Sequence, residues 1–361
     1  MTSDTLRSIL LIAIGIGSGS ITEPGFGQQS IDGDHSDDVR AALDLGALQV
    51  HLNEFEAAET AYLRGIELLI EKSGEFSPQL IGPYRELAAV YLQLGQHAEA
   101  LMVLEHARHT HQRNYGLFST EQTLIINEMS QAYQAMGDTR SALKLQEENL
   151  NIARRYFGSE ALEVIPFYYR LAEYYELSRM RTKARECYQD VMDILELRLD
   201  ERASEKLKPL RELVRIDIFS GESTSARRRL EEMLELGSGY STHERALSLA
   251  VLGDYELATG RAKTSISRYQ KAHATLAVDN PAAAEALFAK PALINFIPPA
   301  SPVDRRSGIS TYSWGTIVAE LEITAGGLAR NVIIIEATPP NLMEDLYQQR
   351  LMESYFRPRL I

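Results

Sequence analysis

The chain of 361 residues has a single cysteine, Cys187, so no internal disulfide can form, and its spacing suggests a buried helix position rather than a reactive thiol. It has no block dense in Lys and Arg. A formal net charge of −13 spreads negative potential over the surface, which excludes nucleic acid and anionic lipid as expected partners. No GxSxG, HExxH, Walker-type or dinucleotide-binding motif occurs, so no catalytic residue and no cofactor is assigned. His106, His109 and His111 lie close in sequence, but on a helix the third points away from the first two, and no carboxylate or thiol completes a set. The acidic run Asp32 to Asp38 lacks the glycine and distant glutamate of a calcium loop. It reads instead as a solvated linker whose Ser36 or Asp37 caps the first helix, and no metal site is assigned.

Long apolar runs are also missing. The N-terminal run Ile9 to Ile16 is far short of the ~20 residues that span a bilayer. With Arg7 ahead of it and Ser18-Gly19-Ser20 behind, residues 1–20 have the layout of a secretory signal peptide, and the mature chain is expected to begin near Ile21 in a periplasm, with no stable membrane span. The alternative is an uncleaved segment anchored in the inner membrane. Residues 21–36 then form a linker.

What is abundant is repetition. In HLNEFEAAETAY, QLGQHAEALMVL, AMGDTRSALKLQ, ELSRMRTKAREC and FSGESTSARRRL, the alanines Ala58, Ala100, Ala142, Ala184 and Ala226 recur every 42 residues. A sixth unit from Arg245 carries Gly260 at its turn and Ser265 in place of the alanine. Such a period means a solenoid of antiparallel helix pairs, here over residues 37–276. Small residues (Gly46, Ala88, Ala172, Gly253) sit where helices approach, and Tyr62, Leu104, Tyr188, Leu230 and Tyr269 fill the gaps between units. Gly95, Gly137, Gly221 and Gly260 supply positive φ at the turns. Asn53 and Arg179 replace glycine in the first and fourth units, and Arg179 predicts an altered fourth turn.

These units resemble the tetratricopeptide repeat in its 42-residue, kinesin light chain-like form. The resemblance implies a right-handed superhelix whose first helices line a groove for protein or peptide partners. By repeat position the groove residues would be Arg85, Gln93, Asn127, Gln131, Gln134, Tyr169, Glu173 and Glu176.

Residues 277–314 are Pro-rich. Ala282 to Ala289 predicts a short helix, and Leu287, Phe288, Leu293, Ile294, Phe296 and Ile297 predict that this segment docks on the last repeat. In residues 315–361, Ile317, Ala319, Leu321 and Ile323 alternate with more polar neighbours, Ala325-Gly326-Gly327 makes a hairpin turn, and Leu328 to Ala337 pairs back. Pro339 and Pro340 end that strand, and a helix is expected from Met343 to Tyr355 with Met343, Leu346, Tyr347, Leu351 and Tyr355 buried. This order resembles the C-terminal domain of TonB-family energy transducers, with Gly315, Gly326, Gly327, Phe356 and Pro358 at its structural positions. The resemblance implies a module that pairs with a strand of a TonB-system or outer-membrane partner, truncated here because its last strand would follow Pro358. The expected fold class is therefore mainly α: a tetratricopeptide-type α-solenoid followed by a small α+β (strand-strand-helix) TonB-like module. The function expected is a non-enzymatic scaffold for protein partners, accessory to TonB-dependent outer-membrane transport. The alternative is a membrane-anchored, TonB-like transducer.

Overall fold

A computed structural model describes residues 34–199, 204–236, 241–296, 316–338 and 343–360. Helices pair along the chain: α1 (Asp34–His51) with α2 (Phe55–Ser73), α3 (Ile81–Gln93) with α4 (His97–Tyr115), and α5 (Gln122–Ala135) with α6 (Thr139–Phe157). Then α7 (Ile165–Leu177) pairs with α8 (Arg181–Arg198), α9 (Leu207–Phe219) with α10 (Ser223–Glu235), and α11 (Thr242–Ala258) with α12 (Ala262–Asp279). Each second helix also packs on the next first helix, which makes one stacked array whose buried residues form successive clusters along it. Ser36 and Asp37 lie inside the first turn of α1, which begins at Asp34, and not at its cap. The signal-peptide residues 1–20 lie outside the described residues.

The 42-residue period has a packing cause. The five alanines are each 0% exposed, as is Ser265 in the sixth unit. Tyr62, Leu104, Tyr188, Leu230 and Tyr269 are buried at the later position. The third unit puts Gln146 there, also buried, with its amide donating to Asn127 Oδ1 at 3.2 Å. Across from the alanine row, a Cβ on Gly253 would come within 2.5 Å of the Tyr269 ring, so the small residue is what admits the large one. The third unit uses Ser130 at this point, and its hydroxyl donates to the Ala142 carbonyl at 2.8 Å.

The turns share one geometry. Gly95, Gly137, Gly221 and Gly260 have φ between 71° and 81°, and Asn53 (58°) and Arg179 (59°) adopt the same region. The fourth turn is not altered: Arg179 N–H donates to the Glu176 carbonyl and Met180 N–H to that of Tyr175, in the pattern that Gly137 and Asp138 make one repeat earlier. Packing of the flanking helices fixes the turn, and arginine takes a strained backbone to satisfy it. A second glycine row, Gly74, Gly116 and Gly158, closes α2, α4 and α6 with the same 42-residue spacing.

After α12 comes α13 (Pro281–Phe288), whose N-cap Asn280 accepts from Ala283 N–H, and whose Ala284 and Phe288 join the core around Tyr269. Strand β1 (Ala292–Asn295) follows on the inner side of α9 and α11. The hairpin is β2 (Thr316–Ile323) with β3 (Ala329–Thr338), antiparallel, with the described part of its turn at residues 324–328. Helix α14 (Glu344–Met352) packs on β3, and β4 (Tyr355–Arg357) ends the order.

Two expectations for this end are corrected. The helix stops at Met352 and buries no side chain fully; Leu346 is exposed, and Tyr355 belongs to a strand. The expected order also ends differently: a short strand, β4, stands ahead of Pro358. It does not join the two-stranded hairpin sheet but pairs antiparallel with β1 of the Pro-rich segment, touching the hairpin through one bridge, Leu328 to Tyr355. Both departures have one cause: Ser354 turns the chain with its hydroxyl on the Arg350 carbonyl, and Phe356 and Arg357 then find their partners on the solenoid.

Candidate functional site

The first helices of the last three pairs line a groove that holds two cavities. One, of about 570 Å³, lies between α7 and α9, with Tyr169, Arg170, Glu173 and Glu176 on one wall and Lys208, Glu212 and Arg215 on the other. The second, of about 560 Å³, lies between α9 and α11, with Arg211, Ile218, His243, Glu244, Leu247 and Val251 in its lining. Lys208, Glu212 and Arg215 border both, so the cavities form one path across three helices. Its far end is bounded by β1 and Arg357.

Charge is organised along this path. Arg215 pairs with Glu176 of the preceding unit and at 2.8 Å with Glu212, while Arg211 pairs with Glu244 of the following one. These pairs tie the helices into one register. Tyr188 donates to Glu176 Oε1 at 3.0 Å, and burial followed by that carboxylate pushes its phenol pKa up. Burial likewise raises Tyr169, so both rings stay neutral donors with apolar faces. Lys208 lies over the Tyr169 ring at 4.0 Å and has no carboxylate partner among the described residues.

Tyr169, Glu173 and Glu176 of the sequence-derived set thus meet in one cavity. The other five do not line it. Arg85 bridges α3 to α5 through Glu128, at 3.0 and 2.5 Å. Asn127 turns inward and accepts from Gln146 and Asn149. Gln93, Gln131 and Gln134 are exposed on α3 and α5. Arg211 and Arg215 stand one 42-residue period after Tyr169 and Glu173, and Ile218 one period after Glu176, so the repeat spacing was the signal for α9. The contribution of α11 follows a shortened, 39-residue unit and has no such signal.

The three histidines of α4 face aromatic neighbours: His106 stacks on Tyr84, His109 meets Phe76 edge-on, and His111 is buried beside Tyr115. Of the TonB-like positions, Phe356 and Pro358 are buried. Gly327 has φ 77°, and a Cβ there would strike the Phe356 carbonyl at 2.4 Å and Leu257 of α11 at 2.8 Å. Gly326 is unconfined, and Gly315 lies outside the described residues.

The strongest contact of the terminal strand is electrostatic. Arg357 donates to both oxygens of Asp254 on α11, at 3.0 and 2.5 Å, and Tyr269 donates to the same carboxylate at 3.0 Å, all three side chains being buried. The bidentate fork and a third donor satisfy a charge that burial would otherwise make costly.

The tetratricopeptide repeat family model matches residues 119–196, which hold α5 to α8 and the α7 wall of the groove. Among solved structures, a kinesin light chain of Podosopora anserina with nearly identical tetratricopeptide-like repeats is 24% identical, with TM-score 0.46 over 56% of this chain and 98% of that one. BtubC of P. vanneervenii is 16% identical, with TM-score 0.45 over 69% and 93%. The pilF protein of Pseudomonas aeruginosa is 14% identical, with TM-score 0.39 over 69% and 94%. No curated protein sequence matches. Over residues 119–196 the chain matches the tetratricopeptide repeat model, and tetratricopeptide domains bind protein or peptide partners.

Proposed function

We propose that the protein is a non-enzymatic scaffold that holds an extended segment of a partner protein in the groove over α7, α9 and α11. The observation that carries this is the continuous path of two cavities sharing Lys208, Glu212 and Arg215. Its aromatic face, its neutral phenols and a cation without a carboxylate partner suit a peptide that offers both backbone carbonyls and side chains. Peptide display against the full chain tests it. Enriched peptides should bind Tyr169→Ala and Lys208→Glu about tenfold more weakly than wild type, the loss of one aromatic or charged anchor. Equal binding to both variants would place the partner elsewhere.

The compartment we favour is the periplasm, on the strength of Arg7, the apolar run to Ile16 and the small residues at 18–20. Recovery of the chain from membranes with Met1 intact would favour the anchored alternative instead. A role accessory to TonB-dependent transport rests on the strand-turn-strand-helix-strand order of the C-terminal unit. Co-purification with a TonB-dependent receptor, lost on deletion of residues 315–361, is the outcome that role requires.

A further inference from the structure

The cavity between α9 and α11 meets Ala292, Leu293 and Ile294, three consecutive residues of β1. Side chains alternate along a strand, so a cavity against one face of a sheet meets every second residue. One that meets three in a row runs along the strand's edge. Phe356 stands opposite Leu293, and its N–H donates to the Gly327 carbonyl at 2.8 Å, away from β1. In an antiparallel pair, opposed residues turn their backbone groups the same way, both toward the partner or both away. The Leu293 N–H and C=O therefore point away from β4, just before the bulge at Ile294, and among the described residues no hydrogen bond outside the β1–β4 ladder reaches either group.

We propose that the partner segment held in the groove binds as a third strand on β1, hydrogen-bonded at Leu293, and that its sequence alternates apolar and acidic residues. This rests on the groove reading and specifies how the groove is filled. Leu293 is 40% exposed, and the cavity runs along this edge of β1. The floor beside it is apolar, from Ile218, Leu247 and Val251, and takes every second side chain of an added strand. Lys208, which borders both cavities and has no carboxylate partner among the described residues, offers a positive charge on a chain whose net charge is −13. An acidic side chain on the added strand supplies the missing counter-ion.

The test uses the full chain and a short fluorescent peptide of alternating valine and glutamate. Two companions are N-methylated on one edge or the other, and a third has lysine for glutamate. Wild type should bind the parent peptide, bind one N-methylated companion about tenfold more weakly, and discriminate against the lysine peptide by a similar factor. Leu293→Pro removes the outward N–H, which the β1–β4 ladder does not use, and should lose about tenfold, whereas Leu293→Ala should bind within about twofold of wild type. Hydrogen exchange should show the Leu293 amide protected on binding and the β4 amides protected in every variant used. Equal binding of the parent and both N-methylated peptides to wild type overturns the strand, and needs no variant to fold. If such binding is still lost in Tyr169→Ala, the groove reading stands alone. If wild type binds neither this peptide nor any displayed one, both fall.

Discussion

Ala142 shows how much of the molecule is set one residue at a time. It is 0% exposed and its carbonyl accepts from Ser130, so the helix across from it has no room to retreat. Ala142→Leu should cost about 1–3 kcal/mol by overpacking, read from denaturant midpoints. Glu71→Ala, at an exposed position of α2, should shift the midpoint far less. Arg179 gives the opposite sign. Its left-handed backbone is one that glycine adopts freely, so Arg179→Gly should gain up to about 1 kcal/mol, while Gly137→Arg should lose a similar amount. A midpoint shift in the same direction for both would show that the turn is not the strained element. His111 adds a pH dependence. Burial lowers its pKa, with Glu121 opposing, so the folded imidazole stays neutral while the unfolded one protonates below about pH 6.5. A folded pKa below the unfolded one means stability is present above that pH and is lost as pH falls. The melting temperature of wild type should therefore drop relative to His111→Gln between about pH 7 and pH 5; parallel curves would mean that His111 is not the titrating group. Cys187 should resist alkylation until the chain unfolds, since burial pushes its thiol up to about 12.

At the scale of elements, the helices were legible because their periodicity is local and repeated. Each alanine, turn glycine and gap-filling tyrosine confirms its counterpart 42 residues away. The C-terminal elements were legible as far as their own patterns go: β2 alternates half-buried and exposed residues as its sequence does, and the β2–β3 turn falls at the glycine pair. What the sequence did not show was β4. Leu351 and Tyr355 fit a helical stripe, and the alternative depends on β1 and Asp254, which lie far back in the chain. For the groove, the spacing picked out Tyr169, Glu173 and Glu176, but side chains that serve repeat-to-repeat contacts, such as Arg85 and Asn127, carry the same residue types as ligand-binding ones. The Arg357–Asp254 pair is the link that holds β4. Arg357→Ala leaves a buried carboxylate with only the Tyr269 hydroxyl as donor and should cost about 3–5 kcal/mol locally, whereas Asp254→Leu with Arg357→Met should cost much less. Hydrogen exchange in α11 and β4 separates these outcomes: faster exchange in the single variant alone is expected, and equal exchange in both would show that packing around Phe356, not the ion pair, holds the strand.

For the whole molecule, the terminal ribbon makes the last repeats differ from the first. A solenoid's units are stabilised by their neighbours, so an end unit needs something to cover its outer side. Here α13 places Phe288 against Tyr269, Leu360 donates to the Phe288 carbonyl, and Arg357 lies over both rings, so the C-terminal segment acts as the cap of the array. Deleting residues 315–361 would then do more than remove a module. It would leave Asp254 buried without its arginine and strip β1 of its partner strand, while the main contacts of its described elements lie with α11, β1 and one another and not with α1 to α6. Nearest-neighbour coupling predicts a graded result in the truncated chain: amide protection falls most in α11 and α12, less in α9, and stays at the full-length level in α1 to α6. Uniform loss along the array would mean that the solenoid folds as one cooperative unit and that its end is not a local cap. Unchanged protection in α11 would mean that α13 covers the last repeat without help. In the graded case the groove over α9 and α11 owes its shape to the ribbon that borders it, so the truncated chain should lose groove peptides even though every residue of α7 and α9 remains.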